Sequence, residues 1–103
     1  MKEGKDYTIE AVRQAGEILK FIAEQREPVT SADAARACGI TTNTAFRQCW
    51  TLSERLGFLD RVGDRYRLGA RLALIWAKRK SIVEGTIQRA ESELRELSEG
   101  AEA

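Results

Sequence analysis

Histidine is absent from this chain, proline occurs once and cysteine twice among 103 residues. Without histidine the commonest general base is missing, and the usual nucleophilic triads with it. Cys38 and Cys49 form no CxxC pair, so a four-ligand zinc site is excluded within one chain. Both read as small buried thiols in a reducing compartment. No glycine-rich phosphate loop or nucleophile elbow is present, and the carboxylates lie on charged helix faces. The expectation is a protein that is no enzyme and holds no metal or cofactor. No apolar run approaches the roughly 20 residues of a membrane span. The charged start, Met1-Lys2-Glu3-Gly4-Lys5-Asp6, does not resemble a signal peptide. A soluble, cytoplasmic location without membrane contact is the default expectation.

Net charge is only +1, but it is unevenly spread. Residues 1–40 carry six Lys/Arg against seven Asp/Glu, residues 41–80 nine against three, and residues 81–103 two against six. The middle third is therefore basic and the last part acidic. A nucleic-acid partner would be met by the middle third.

The periodicity predicts a first helix from Tyr7-Thr8 to about Gln25, with Thr8 as cap. Ile9, Val12, Ala15, Leu19 and Ile22 form its buried stripe, with Ile18 at the edge. Gly16 inside it can mark a close helix crossing. Arg26-Glu27-Pro28 ends it, because the residue before proline leaves the helical region. Thr30 and Asp33 then make an acidic capping box, with Val29 placed to staple on Ala34. This short second helix runs through Ala37 and closes at Gly39, a fitting left-handed residue.

The stretch Gly39-Ile40-Thr41-Thr42-Asn43-Thr44-Ala45-Phe46-Arg47 leads straight into a third helix. Thr41 or Thr42 caps it, and Ala45, Cys49, Leu52 and Leu56 form a thin apolar stripe. Asn43, Arg47, Thr51 and Glu54 face away, with Thr44 at the leading end. Two helices joined by a short glycine-containing turn form a helix-turn-helix. Asn pairs with adenine, Arg with guanine, and Thr contacts a thymine methyl or a phosphate, so this face suits the major groove. An ordinary amphipathic surface helix would show the same stripe.

After Leu56-Gly57, the runs Phe58–Val62 and Arg65–Leu68 flank Gly63-Asp64 and read as a hairpin. Alternation turns Tyr66 and Leu68 to one face and Arg65 and Arg67 to the other. With Arg61 clustered beside them, the hairpin reads as a wing rather than a plain core cap. From Ala70 a further helix carries Leu72, Ile75 and Trp76 on its apolar side and passes through Lys78-Arg79-Lys80. Ser81-Ile82-Val83-Glu84 is a capping box, where either a new helix starts or the old one continues. Val83, Ile87, Ala90, Leu94 and Leu97 follow at heptad steps, a seam for dimerisation or for folding back on the same chain.

These residues resemble the N-terminal DNA-binding domain of IclR-type (isocitrate lyase regulator) transcription factors. The likeness covers roughly Ala11 to Trp76. It rests on Glu17-Ile18-Leu19, on Pro28-Val29-Thr30 with Ala35-Arg36-Ala37, on Thr44-Ala45-Phe46-Arg47 with Thr51-Leu52, and on Leu56-Gly57-Phe58-Leu59. Most specific is Arg65-Tyr66-Arg67-Leu68-Gly69, followed by Arg71-Leu72. Thr41 and Ala70 stand where the family usually has proline, and Gln48 where an apolar residue is common. The resemblance implies a mainly α fold with a small β-hairpin: a winged helix-turn-helix over residues 7–69. A linker and possible dimerisation helix would occupy 70–98, between a disordered start at 1–6 and a frayed tail at 99–103.

By the same resemblance, Thr42, Asn43, Thr44 and Arg47 face the major groove. Arg61, Arg65 and Arg67 lie near phosphate or minor groove. The expected function is a sequence-specific transcriptional regulator, a homodimer on palindromic double-stranded DNA. Family members continue into a ligand-sensing domain, so this chain reads as a free-standing regulator or a fragment, with no small-molecule effector expected in it. The alternatives are a winged-helix protein-interaction module, favoured by the acidic tail, and an architectural or packaging protein of a mobile element.

Overall fold

A computed structural model describes residues 5–102. The helix α1 spans Glu10–Ala23, β1 Val29–Thr30, α2 Ser31–Cys38 and α3 Thr42–Trp50. A π-helical turn, Thr51–Arg55, extends α3; β2 (Leu59–Val62), β3 (Arg65–Leu68) and α4 (Ala70–Glu102) follow. The chain divides into two compact units, one ending at Leu72 and the other beginning at Ala73. The first is a winged helix-turn-helix: three helices with a small antiparallel sheet.

Its core joins Ile18 and Ile22 of α1, Val29, Ala34 of α2, Cys49, Leu52, Leu59 and Tyr66. Ile18 is therefore central to the α1 stripe and not at its edge, while Ile9 and Val12 are about two-thirds exposed. An open groove lined by Ala11 and Val12 on one side and Thr44, Arg47 and Thr51 on the other separates the start of α1 from α3, so Val12 stays uncovered. Thr8 does not cap α1 either. Its amide and hydroxyl both donate to Asp6 Oδ1, and Ile9 takes the cap position with no side-chain bond. Gly16 marks no crossing, since a Cβ there would meet nothing within 4 Å.

The sheet order is β1-β3-β2, antiparallel throughout. Val29 pairs with Tyr66 and Thr30 with Arg65, a third strand too short for any alternation to announce. The β2–β3 register sets Leu59 opposite Leu68, Asp60 opposite Arg67, Arg61 opposite Tyr66 and Val62 opposite Arg65. Gly63 takes φ +67 in the connecting turn, as the Gly-Asp pair requires.

Leu56 was expected on the α3 stripe but is exposed. The π turn explains this. Leu56 N donates to Thr51 O at 3.3 Å, five residues back, so each turn holds more residues and the stripe loses phase. Phe58 and Leu59 fill the position instead, after Gly57 at φ +70.

The second unit is helical. Helix α4 runs unbroken through Ser81, so no new helix starts there. The segment contains no proline, and Glu84 bonds Lys80 at 2.8 Å one turn back instead of serving Ser81 as a capping-box partner. The helix reaches Glu102, so the tail expected to fray at 99–103 is helical that far. Ala103 and residues 1–4 of the start expected to be disordered lie outside the described residues. Among the described residues no helix is long and apolar enough to cross a membrane.

Candidate nucleic-acid interface

Two caps fix the helix-turn-helix. At α2, Asp33 N donates to Thr30 Oγ1 and Thr30 N donates to the Asp33 carboxylate, both at 3.1 Å. The Thr30 bonds hold that carboxyl below the usual range. At its other end α2 closes on Gly39, φ +69, a left-handed conformation that costs glycine nothing. Ile40 N then donates back to Ala35 O at 3.1 Å, the six-to-one bond of a Schellman ending.

The choice between Thr41 and Thr42 falls to Thr41. Its Oγ1 accepts from Thr44 N at 3.1 Å, and its hydroxyl donates to Thr44 Oγ1 at 2.9 Å. Thr42 is left exposed, as are Asn43 and Arg47, while Thr44 is half-buried beside the cap. Arg47 forms no ion pair among the described residues. Inward, Ala45 and Cys49 are fully buried and Leu52 nearly so. The α3 surface thus separates into a packed arc and a free one carrying an amide, a guanidinium and hydroxyls.

Gln48 lies between these arcs and holds α3 to α1: its Nε2 donates to Gln14 Oε1 at 2.9 Å. Its own Oε1 is buried and finds no partner among the described residues. The free arc also carries two residues that periodicity passed over. Phe46 and Trp50 are 49% and 39% exposed, and the Arg55 guanidinium lies 5.5 Å from the Trp50 ring. The signal was available, because each follows a stripe residue directly and so falls outside the buried arc.

The wing arginines are all exposed but do not cluster on one face. Residues opposed across an antiparallel ladder share a face, and neighbours along a strand alternate. The register therefore places Arg65 and Arg67 with Asp60 and Val62, and Arg61 on the other face beside Tyr66. Arg65 Nη1 reaches Pro28 O at 3.4 Å. Burial raises the Tyr66 phenol, and the nearby Arg61 offsets part of this. Asp60 turns to α4 and accepts from Ala70 N at 3.4 Å. Gly69 makes the junction possible, for a Cβ there would stand 2.5 Å from Gly57 O.

Neither thiol belongs to this surface as a reactive group. Burial pushes Cys49 up to about 11 and raises Cys38 as well, so neither is a ready thiolate. Among the described residues no three His, Cys, Asp or Glu side chains gather to hold a metal ion.

Solved structures place this arrangement in company. The chain is 25% identical to an IclR transcriptional regulator from Alicyclobacillus acidocaldarius, with a TM-score of 0.63 over 71% of this chain and 30% of that one. It is 27% identical to the Agobacterium tumefaciens repressor BlcR, with a TM-score of 0.61 over 71% of this chain and 29% of that one. It thus spans about three-tenths of the length of either protein. No curated protein matches it at a significant level. The model of the IclR helix-turn-helix domain matches residues 11–63, a segment running from α1 through α3 into the wing, and the chain belongs to that family.

Proposed function

We propose that the chain acts as a homodimeric, sequence-specific DNA-binding transcriptional regulator. Helix α3 enters the major groove, where Asn43 and Arg47 read base edges and Thr42 and Thr44 contact thymine methyl or phosphate. Arg65 and Arg67, and Arg61 from the other face, supply phosphate contacts along the backbone or minor groove. The observation that carries this reading is the α3 surface itself: Asn43 and Arg47 are exposed on a helix otherwise anchored by Ala45, Cys49 and Leu52. The basic balance of residues 41–80 supports it, as do family membership and the likeness to regulators.

Pairing through α4 accounts for its apolar seam. Val83, Ile87, Leu94 and Leu97 are 42–66% exposed in the single chain, and Ala90 lies among them at heptad steps. An uninterrupted α4 of 33 residues gives that seam a continuous helical support. The same exposed seam favours a second reading, a protein-interaction module docking through α4.

Selection from random duplexes at moderate salt tests the proposal. A palindromic consensus is the expected result, since two-fold protein symmetry imposes two-fold symmetry on its site. Recovery of no consensus, with no retardation of any duplex at low salt, would decide for the interaction module.

A further inference from the structure

An aromatic ring lies among the polar groups of the α3 outer face without a partner of its own. Asn43, Phe46, Arg47 and Trp50 stand at i, i+3, i+4 and i+7, spacing that gathers side chains on one side of a helix. In most surface helices large apolar residues at such spacing mark the core stripe. Here the core stripe is Ala45, Cys49 and Leu52, and Phe46 keeps half of its surface in water. It belongs neither to the core cluster nor to the residues packed against it. Trp50 differs, because Arg55 lies over its ring.

A phenylalanine ring has no polar atom with which to read a base edge. It can cover an apolar group, and the major groove offers one that differs between bases, the thymine 5-methyl. The surroundings suit a polyanion: Arg47 is adjacent, exposed and free of any ion pair among the described residues, within the basic middle third of the chain.

We infer that Phe46 is a specificity-determining residue that packs on the 5-methyl of a thymine beside the base pair read by Asn43 or Arg47. The inference rests on the DNA-binding reading above. It adds a thymine contact to any that the Thr42 or Thr44 methyl groups make, and the Phe46 variants tell the two apart.

The test replaces each thymine of the selected duplex by uracil, one at a time, which removes only the methyl group. With the wild-type protein, one substitution per half-site lowers affinity roughly fourfold, the factor expected for one buried methyl group. With Phe46→Ala that substitution has no further effect, and Phe46→Leu keeps part of it. Three outcomes overturn the assignment: a wild-type protein indifferent to every uracil, equal uracil sensitivity in wild type and Phe46→Ala, or a changed oligomeric state in Phe46→Ala. Phe46→Leu, which keeps an apolar side chain of similar volume, carries the comparison if Phe46→Ala does not fold. A wild-type protein that binds a specific duplex yet ignores uracil removes only the role of Phe46. One that binds no duplex removes the DNA-binding reading as well.

Discussion

Gln48 of α3 donates its side-chain N–H to the side-chain Oε1 of Gln14 in α1 across 2.9 Å, a polar clasp between two helices. The Oε1 of Gln48 itself is buried and unpaired among the described residues. Removing one partner from a buried hydrogen bond costs more than removing both, because the survivor keeps its desolvation penalty. We predict that Gln14→Ala lowers stability by about 1–3 kcal/mol, and that Gln48→Leu costs less because it also removes the orphaned oxygen. Urea denaturation of both variants checks this. The reverse order would mean the clasp is solvated.

Arg47 is expected to contribute to reading rather than folding, being exposed and unpaired. Arg47→Ala should weaken binding to the selected duplex by about 1–3 kcal/mol and relax preference at one base pair. Titration against a panel of single-base variants measures both. Equal loss on every duplex would count against direct readout by this side chain.

The wing register makes its arginines inequivalent. If the face carrying Arg65 and Arg67 lies on phosphate, the double substitution of both by alanine weakens binding to all sequences. It also lowers the slope of log affinity against log salt by about two units. Arg61→Ala, on the opposite face, should change that slope less. A larger effect from Arg61 would turn the wing over.

Two glycines should respond with opposite sign. Gly16 is helical with open space around it, so Gly16→Ala is predicted to stabilise by about 0.5–1 kcal/mol. At Gly69 the added methyl meets the Gly57 and Phe58 backbone, which cannot yield as a flexible side chain would. Gly69→Ala should destabilise by roughly 1–3 kcal/mol. Thermal melts of the two variants distinguish these outcomes, and a neutral Gly69→Ala would show that the junction relaxes.

The helix-turn-helix was legible because its signals are local. Thr30 with Asp33, Gly39, and the threonine before α3 each mark a helix end through atoms three or four residues away. The hairpin was legible for the same reason, through Gly63-Asp64 and the alternation after it. What sequence reading missed depends on neighbours far along the chain. Ile18 outranks Val12 because it reaches the core, while an open groove parts Val12 from α3. Val29 joins a sheet because Tyr66 arrives from 37 residues later, and Arg61 parts from Arg65 because cross-strand register, not proximity in sequence, assigns the face. The Ser81 signal misled for an opposite reason: a capping motif is only permissive, and the Lys80–Glu84 pair favours continuation.

Cys49 is sealed inside the first unit, while Cys38, at the end of α2, is packed against the core but only partly covered. The protein therefore carries its own pair of chemical clocks. A thiol-directed label should modify Cys38, slowly but ahead of Cys49, within the helix-turn-helix and without any engineered residue. Alkylation of Cys49 must wait for the helices to separate, so its rate counts how often the interior opens.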